Sequence, residues 1–130
     1  MNRKKQLLIV EDEALLARAI TRYLQLSGYQ TETFADGAVA WERLKEKRFD
    51  TLVTDRWISP MGGEMLAEWG LRHDRLRRVV VISGDNPDKV TIRGAPGTVS
   101  YLQKPFDLNE LLKLVKKNDD VAAAVGKINQ

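Results

Sequence analysis

Glu11, Asp12, Asp55, Ser83 and Lys104 are the residues whose types combine into a recognisable chemistry. Each follows a short β-forming run: Gln6–Val10 before Glu11 and Asp12, Asp50–Thr54 before Asp55, Val79–Ile82 before Ser83, and Ser100–Gln103 before Lys104. Three carboxylates converging on one pocket repel one another and need a compensating cation. Oxygen donors with neither His nor Cys beside them suit a hard ion such as Mg²⁺. A hydroxyl and an ammonium on neighbouring strand ends add a donor and a positive charge. Such a set suits a transferring phosphoryl group: cation and ammonium neutralise its oxygens, the hydroxyl donates to one, and a carboxylate serves as nucleophile. Taken singly, each residue has a plainer role. Asp55 can form a turn, Glu11 and Asp12 can favour a helix N-terminus, Ser83 can be a turn hydroxyl, Lys104 a surface lysine and Tyr101 a half-buried strand aromatic. The common position of Glu11, Asp12, Asp55, Ser83 and Lys104 after strands is what joins those five.

The elements that must position these residues alternate along the chain. After the first strand, Leu15, Leu16, Ala19, Ile20, Tyr23 and Leu24 repeat at helical spacing, which predicts one wide apolar face. Gly28 is a natural stop for that helix. Gln30–Phe34 mixes β-formers with polar residues, as an edge strand does. A helix over Ala38–Lys47 turns Trp41 and Leu44 inward. Asp50–Asp55 is the third strand, and Ser59-Pro60-Met61-Gly62-Gly63 breaks the chain after it. Glu64–Leu71 carries Met65, Leu66 and Trp69 at helical spacing. Val79–Ser83 is continuously apolar until its last residue, as befits a parallel strand covered on both faces. Ser100–Gln103 is a fifth strand. A last helix opens at Asp107, where Asp-Leu-Asn-Glu resembles a capping box, and buries Leu108, Leu111, Leu112 and Val115. This alternation predicts an α/β domain with a parallel sheet. Right-handed crossovers then bring the carboxyl ends of the strands to one edge, where such sheets bind ligands.

Four motifs in chain order carry a family resemblance. They are Leu-Leu-Ile-Val-Glu-Asp-Glu; Asp55 with Pro60 five residues on and Gly63 eight on; Val-Val-Val-Ile-Ser-Gly; and Tyr-Leu-Gln-Lys-Pro-Phe. From about Gln6 to Lys117 the chain resembles a response-regulator receiver domain of two-component signalling. The resemblance implies a doubly wound five-stranded parallel sheet of flavodoxin-like order 2-1-3-4-5, with helices on both faces. It implies Asp55 as phosphoacceptor, and Asp12, Asp55 and the backbone carbonyl of Trp57 as ligands of Mg²⁺ (or Mn²⁺), with Glu11 acting through metal-bound water. Ser83 matches the switch hydroxyl, Gly84 its small neighbour, Lys104 the phosphoryl-pairing lysine and Tyr101 the aromatic whose rotamer follows activation. The Lys104–Pro105 bond is often cis in that family. Trp57 and Asp85 match positions that tune loss of the phosphoryl group, and the Trp57 ring is expected to shield the acyl phosphate from water. The implied function is that of a signalling receiver, not an enzyme, taking a phosphoryl group from a sensor histidine kinase or phosphotransfer protein and switching an output domain or partner.

Departures from the pattern bear on tuning. The acidic pair is Glu-Asp where Asp-Asp is commoner, and Arg56 and Trp57 follow the phosphoacceptor where smaller or aliphatic residues are usual. Pro87, Gly94, Pro96 and Gly97 leave little room for the helix between the fourth and fifth strands, which is expected to be short or irregular. The family's usual dimerisation face, which includes that helix, is accordingly in doubt. The expected organisation is a receiver domain over 1–117 and a C-terminal tail or linker over 118–130 that can form a short helical turn, with any output domain outside this chain.

Composition narrows the alternatives. The 130 residues suit one domain. The absence of Cys removes disulfides, thiolate sites and Cys nucleophiles, and the single His73 excludes a multi-His metal site. The aliphatic runs Leu7–Val10 and Val79–Ile82 are far short of the ~20 residues of a membrane span. No signal-like apolar stretch follows the basic start, so a cytoplasmic protein is expected. A net charge of +3, with basic clusters at Arg72–Arg78 and Lys113–Lys117, reads as solvated surface near helix ends, with no direct nucleic-acid contact expected. Two rival functions are a receiver-like interaction scaffold and a Mg²⁺-dependent phosphohydrolase with an Asp nucleophile. The second lacks the Asp-x-Asp that haloacid-dehalogenase-like enzymes place after their first strand.

Overall fold

Residue alternation within the strands sorts the aliphatic side chains to two faces. In the computed structural model, which describes residues 4–85, 92 and 97–117, the strands are β1 (Gln6–Val10), β2 (Gln30–Phe34), β3 (Phe49–Asp55), β4 (Leu76–Ser83) and β5 (Val99–Gln103). They form one parallel sheet in the order β2-β1-β3-β4-β5. The helices are α1 (Ala14–Leu26), α2 (Gly37–Glu46), α3 (Gly63–Arg72) and α4 (108–117). Leu8, Val10, Leu52, Val79 and Val81 face α2 and α3 and meet Ala40, Leu44, Leu66 and Ala67. Leu7, Ile9, Val53, Val80 and Ile82 face the other way, toward Ile20 and Leu24 of α1 and Leu111 and Val115 of α4. Leu8 and Leu52 are fully buried at the centre, and truncating either to Ala costs about 2–5 kcal/mol. The sheet and its helical layers are those the sequence predicts.

Local chemistry fixes the connections. Asp36 caps α2 by accepting the Ala38 N–H at 2.7 Å and the Val39 N–H at 3.1 Å. Gly28 ends α1 with φ +101°, a conformation costly for any residue with a Cβ. Gly63 opens α3 where a Cβ would overlap the Asp55 carbonyl oxygen, so the breaker after β3 is also a packing requirement. Glu110 reaches back to accept the Asp107 N–H at 3.3 Å, one half of the predicted cap of α4.

Two expectations change and two fall outside the described residues. The apolar face of α1 is narrower than predicted: Ala17, Ile20 and Leu24 are buried, while Leu15 is 75% exposed and Ala19 is exposed. At ~100° per residue, a stripe centred on Ala17, Ile20 and Leu24 leaves Leu15 and Ala19 on the opposite side. β4 starts at Leu76, so Arg77 and Arg78 lie in a strand and not at a helix end. They extend past β5, whose pairing begins at Val79↔Val99, and there, among the described residues, the strand pairs with β3 alone. The helix expected between β4 and β5, and the tail over 118–130, lie outside the described residues.

Candidate functional site

Because all strands run parallel, Glu11, Asp55, Ser83 and Lys104 emerge at one sheet edge, beside the reversal of strand order at β1 and β3. Glu11 directly follows β1, and its N–H still donates to Phe34 O of β2 at 3.0 Å. Its side chain is only 2% exposed. Oε2 accepts the Glu13 N–H at 3.1 Å, whereas the buried Oε1 has no hydrogen-bond partner among the described residues and lies 3.8 Å from Lys104 Nζ. Burial pushes the Glu11 carboxyl upward; the Asp55 charge and the Asp12 side chain add to this, against the Glu13 N–H and the Lys104 charge.

Asp55 ends β3 and is buried, with both carboxylate oxygens engaged. Oδ1 accepts the Trp57 N–H at 3.3 Å, and Oδ2 accepts from Lys104 Nζ at 3.0 Å. The loop beyond it is pinned by Arg56 N–H to Ile82 O at 2.9 Å and Gly63 N–H to Arg56 O at 3.0 Å. Lys104 follows β5, and its N–H donates to Ser83 O at 2.8 Å. The Lys104–Pro105 bond is cis, as is Ser59–Pro60. Burial pulls the Lys104 ammonium down, but the Asp55 hydrogen bond and the Glu11 and Asp55 charges outweigh it and hold it above its ordinary range.

Glu11, Asp12 and Asp55 each offer a carboxylate oxygen, all within 4.8 Å of one another. One ammonium against three carboxylates leaves two negative charges when all are ionised, one of them on a buried group with an orphaned oxygen. A hard divalent cation of the Mg²⁺ or Mn²⁺ kind fits that donor set in charge and in ligand chemistry. The Trp57 main chain lies beside this group, held against Asp55 by its N–H.

Ser83 is buried at 5% exposure, and its Oγ accepts the Asp85 N–H at 3.0 Å, which leaves its own proton available to donate. Gly84 is exposed, and a Cβ there would meet nothing within 4 Å among the described residues. Tyr101 lies in β5, partly buried against the core beneath α2 and α3. Burial raises its hydroxyl above the ordinary range, with Glu64 adding and Arg56 opposing. Trp57 and Asp85 touch: the indole Nε1–H donates to Asp85 Oδ2 at 2.9 Å, although the Trp57 residue is 65% exposed. Arg56 joins them, stacking 4.6 Å from the Trp57 ring centroid, placing Nη1 3.5 Å from Asp85 Oδ2 and pairing through Nε with Glu64. Neither Arg56 nor Glu64 is marked as a site residue by the sequence pattern. Glu64 opens a helix, where an acid is commonplace, and nothing in its spacing from Arg56 announces contact.

The family model described as the response regulator receiver domain matches residues 7–116. A response regulator receiver protein, CpdR of Brucella abortus, is 33% identical over 118 residues, covering 87% of this chain and 95% of that protein. The transcriptional regulatory protein CrdR of Helicobacter pylori is 31% identical over 121 residues, and the match spans 90% of this chain but only 57% of CrdR. Among solved structures, the chemotaxis response regulator CheY4 of Vibrio cholerae superposes with a TM-score of 0.79 at 25% identity, covering 89% of this chain and 99% of that one. A response regulator receiver protein from Sinorhizobium medicae gives a TM-score of 0.80 at 28% identity, covering 89% and 94%.

Proposed function

This chain belongs to the response regulator receiver domain family, and from that premise we propose that it accepts a phosphoryl group on Asp55 and relays it as a change of conformation. One observation carries the reading: Lys104 donates to Asp55 at 3.0 Å and sits 3.8 Å from a buried Glu11 oxygen that has no hydrogen-bond partner among the described residues.

In the proposed reaction a sensor histidine kinase or phosphotransfer protein presents a phosphohistidine. An Asp55 oxygen attacks phosphorus in line, the P–N bond breaks, and its electron pair returns to the imidazole. The Lys104 ammonium is placed to neutralise a phosphoryl oxygen, and the Ser83 hydroxyl can donate to another. Asp12, Asp55 and the Trp57 carbonyl would hold a Mg²⁺ or Mn²⁺ ion, with Glu11 acting through water, and the bound ion would supply further neutralisation of the phosphoryl oxygens. Hydrogen bonds to the phosphoryl group then bias the loop after β4 and Tyr101 toward a second arrangement, a population shift of a two-state element. Trp57 and Asp85 tune the return of the carboxylate to its free form.

Receiver domains are signalling domains, and the proposed chemistry is confined to this chain's own Asp55. The receiver unit is taken to span 1–117, with 118–130 as tail or linker and the output in a separate domain or protein. Some relatives, such as CrdR, are transcriptional regulators of which this chain spans about half the length. No helix among the described residues is long and apolar enough to cross a membrane, and a cytoplasmic partner, rather than a membrane or nucleic acid, completes the reading. The intact Asp55, Ser83 and Lys104 set argues against a scaffold that never carries phosphate. The test is tryptophan fluorescence during addition of Mg²⁺ and then beryllofluoride. A saturable response to beryllofluoride that requires Mg²⁺ and vanishes in Asp55→Asn is expected; an equal response in that variant overturns the reading.

A further inference from the structure

Four side chains form a bracket beside the phosphoacceptor, and its only cation is also its most enclosed side chain among those with a charge. The Arg56 guanidinium is 11% exposed, pairs with Glu64 of α3, lies 3.5 Å from Asp85 Oδ2 and stacks 4.6 Å from the Trp57 ring centroid. The two residues it gathers are more open, with the Asp85 side chain 51% exposed and Trp57 65%. Left alone, an exposed indole and an exposed carboxylate sample several rotamers. Here the indole Nε1–H and the guanidinium converge on the same carboxylate oxygen.

Both open ends of the bracket touch the reacting machinery through the main chain. The Trp57 N–H donates to Asp55 Oδ1 at 3.3 Å, and the Asp85 N–H donates to Ser83 Oγ at 3.0 Å. A displacement of either side chain is therefore coupled to the residue that would bear the phosphoryl group or to the hydroxyl that would meet it.

We propose that Arg56, anchored by Glu64, is a positioning residue that holds the Trp57 ring and the Asp85 carboxylate as one unit beside Asp55 and thereby slows loss of the phosphoryl group. This rests on the phosphoacceptor reading above. The step concerned is hydrolysis. Water oxygen attacks phosphorus, the bond from phosphorus to the Asp55 oxygen breaks, its electron pair returns to the carboxylate, and the water proton leaves with inorganic phosphate. A fixed indole narrows the approach of water, and the fixed Asp85 charge disfavours hydroxide-like character in the attacking oxygen. With Arg56 removed, the ring and the carboxylate separate and water gains access.

The experiment loads the protein with a small-molecule phosphodonor and Mg²⁺, removes the donor, and follows phosphate release. Arg56→Met, which keeps the length but not the charge, should speed decay about twofold to fivefold, the range expected for partly exposed charged contacts. Arg56→Lys should recover part of the lifetime, and Glu64→Gln should shift decay the same way by less. Arg56→Met combined with Trp57→Leu should decay no faster than the quicker single variant, because both disrupt one unit. In the unphosphorylated protein without metal, the Trp57 indole N–H should exchange with solvent faster in Arg56→Met than in the parent. Unchanged decay in Arg56→Met, or fully additive effects with Trp57→Leu, overturns the proposal. Should Arg56→Met fail to fold, Glu64→Gln decides alone: unchanged decay and indole exchange there overturn it. If the parent protein takes up no phosphoryl group, or Asp55→Asn takes it up equally, the failure belongs to the phosphoacceptor reading; if the parent loads normally and the variants match it, only the Arg56 assignment fails.

Discussion

Lys104 donates to Asp55 across 3.0 Å, joining the end of β5 to the end of β3. The same ammonium lies 3.8 Å from Glu11 and is the cation that offsets the charge of the acidic group. Its removal should have two opposite effects. Lys104→Met is expected to lower stability in chelator by about 1–3 kcal/mol, because two buried carboxylates lose their partner. It should also tighten Mg²⁺ binding, since a competing positive charge has gone. Chemical denaturation in EDTA and isothermal titration with Mg²⁺ check both.

Glu11 behaves as the mirror image. Its buried carboxylate is disfavoured by burial and by Asp55, so Glu11→Gln should raise stability in chelator by about 1 kcal/mol. The same substitution removes a charge from the candidate cation site, so Mg²⁺ affinity should fall, and with it the added stability that ligand binding confers by mass action. Melting temperatures with and without Mg²⁺ should cross between the parent and this variant.

Away from the site, Glu32 on β2 sets an acid-sensitive contribution. Arg43 Nε and Lys47 Nζ each lie 2.7 Å from its carboxylate oxygens, and the Arg43 hydrogen bond, against some burial, leads the causes that hold its pKa down to about 2. A carboxyl whose folded pKa lies below its unfolded value stabilises the fold above the unfolded value. That contribution fades as pH falls from about 4.5 toward about 2. Glu32→Gln should therefore cost about 1 kcal/mol near neutrality, discounted for partial exposure, and leave a flatter acid limb in a pH series of denaturation midpoints.

Tyr101 reports on the bracket at a distance. Its hydroxyl is raised by burial, with Glu64 adding and Arg56 opposing. Glu64→Gln should lower its pKa and Arg56→Met should raise it, measured by alkaline ultraviolet titration with Tyr101→Phe as the difference reference. Equal values in the two variants would place Tyr101 outside the electrostatic reach of this pair.

Much of this was legible in the chain because the rules involved are local. Strand alternation separates Leu8 and Val10 from Leu7 and Ile9, so it predicts a sheet buried on both faces. Parallel connections then force Glu11, Asp55, Ser83 and Lys104 to one edge before any coordinates are known. What escaped depends on shape. Leu15 precedes Ala19 at the same helical spacing as Leu16 precedes Ile20, yet the rotation of α1 on the sheet exposes it. Arg77 and Arg78 read as a cationic helix end because their strand outruns β5. The contact of Arg56 with Glu64 and Asp85 arises from the way two loops fold over the sheet edge, which no periodicity encodes.

The most direct test of the account is intact-mass measurement after incubation with a small-molecule phosphodonor, with and without Mg²⁺, in the parent protein and in Asp55→Asn. The expected result is a gain of one phosphoryl group that requires both the divalent ion and Asp55. A gain that persists in Asp55→Asn, or no gain in the parent at saturating Mg²⁺, contradicts it.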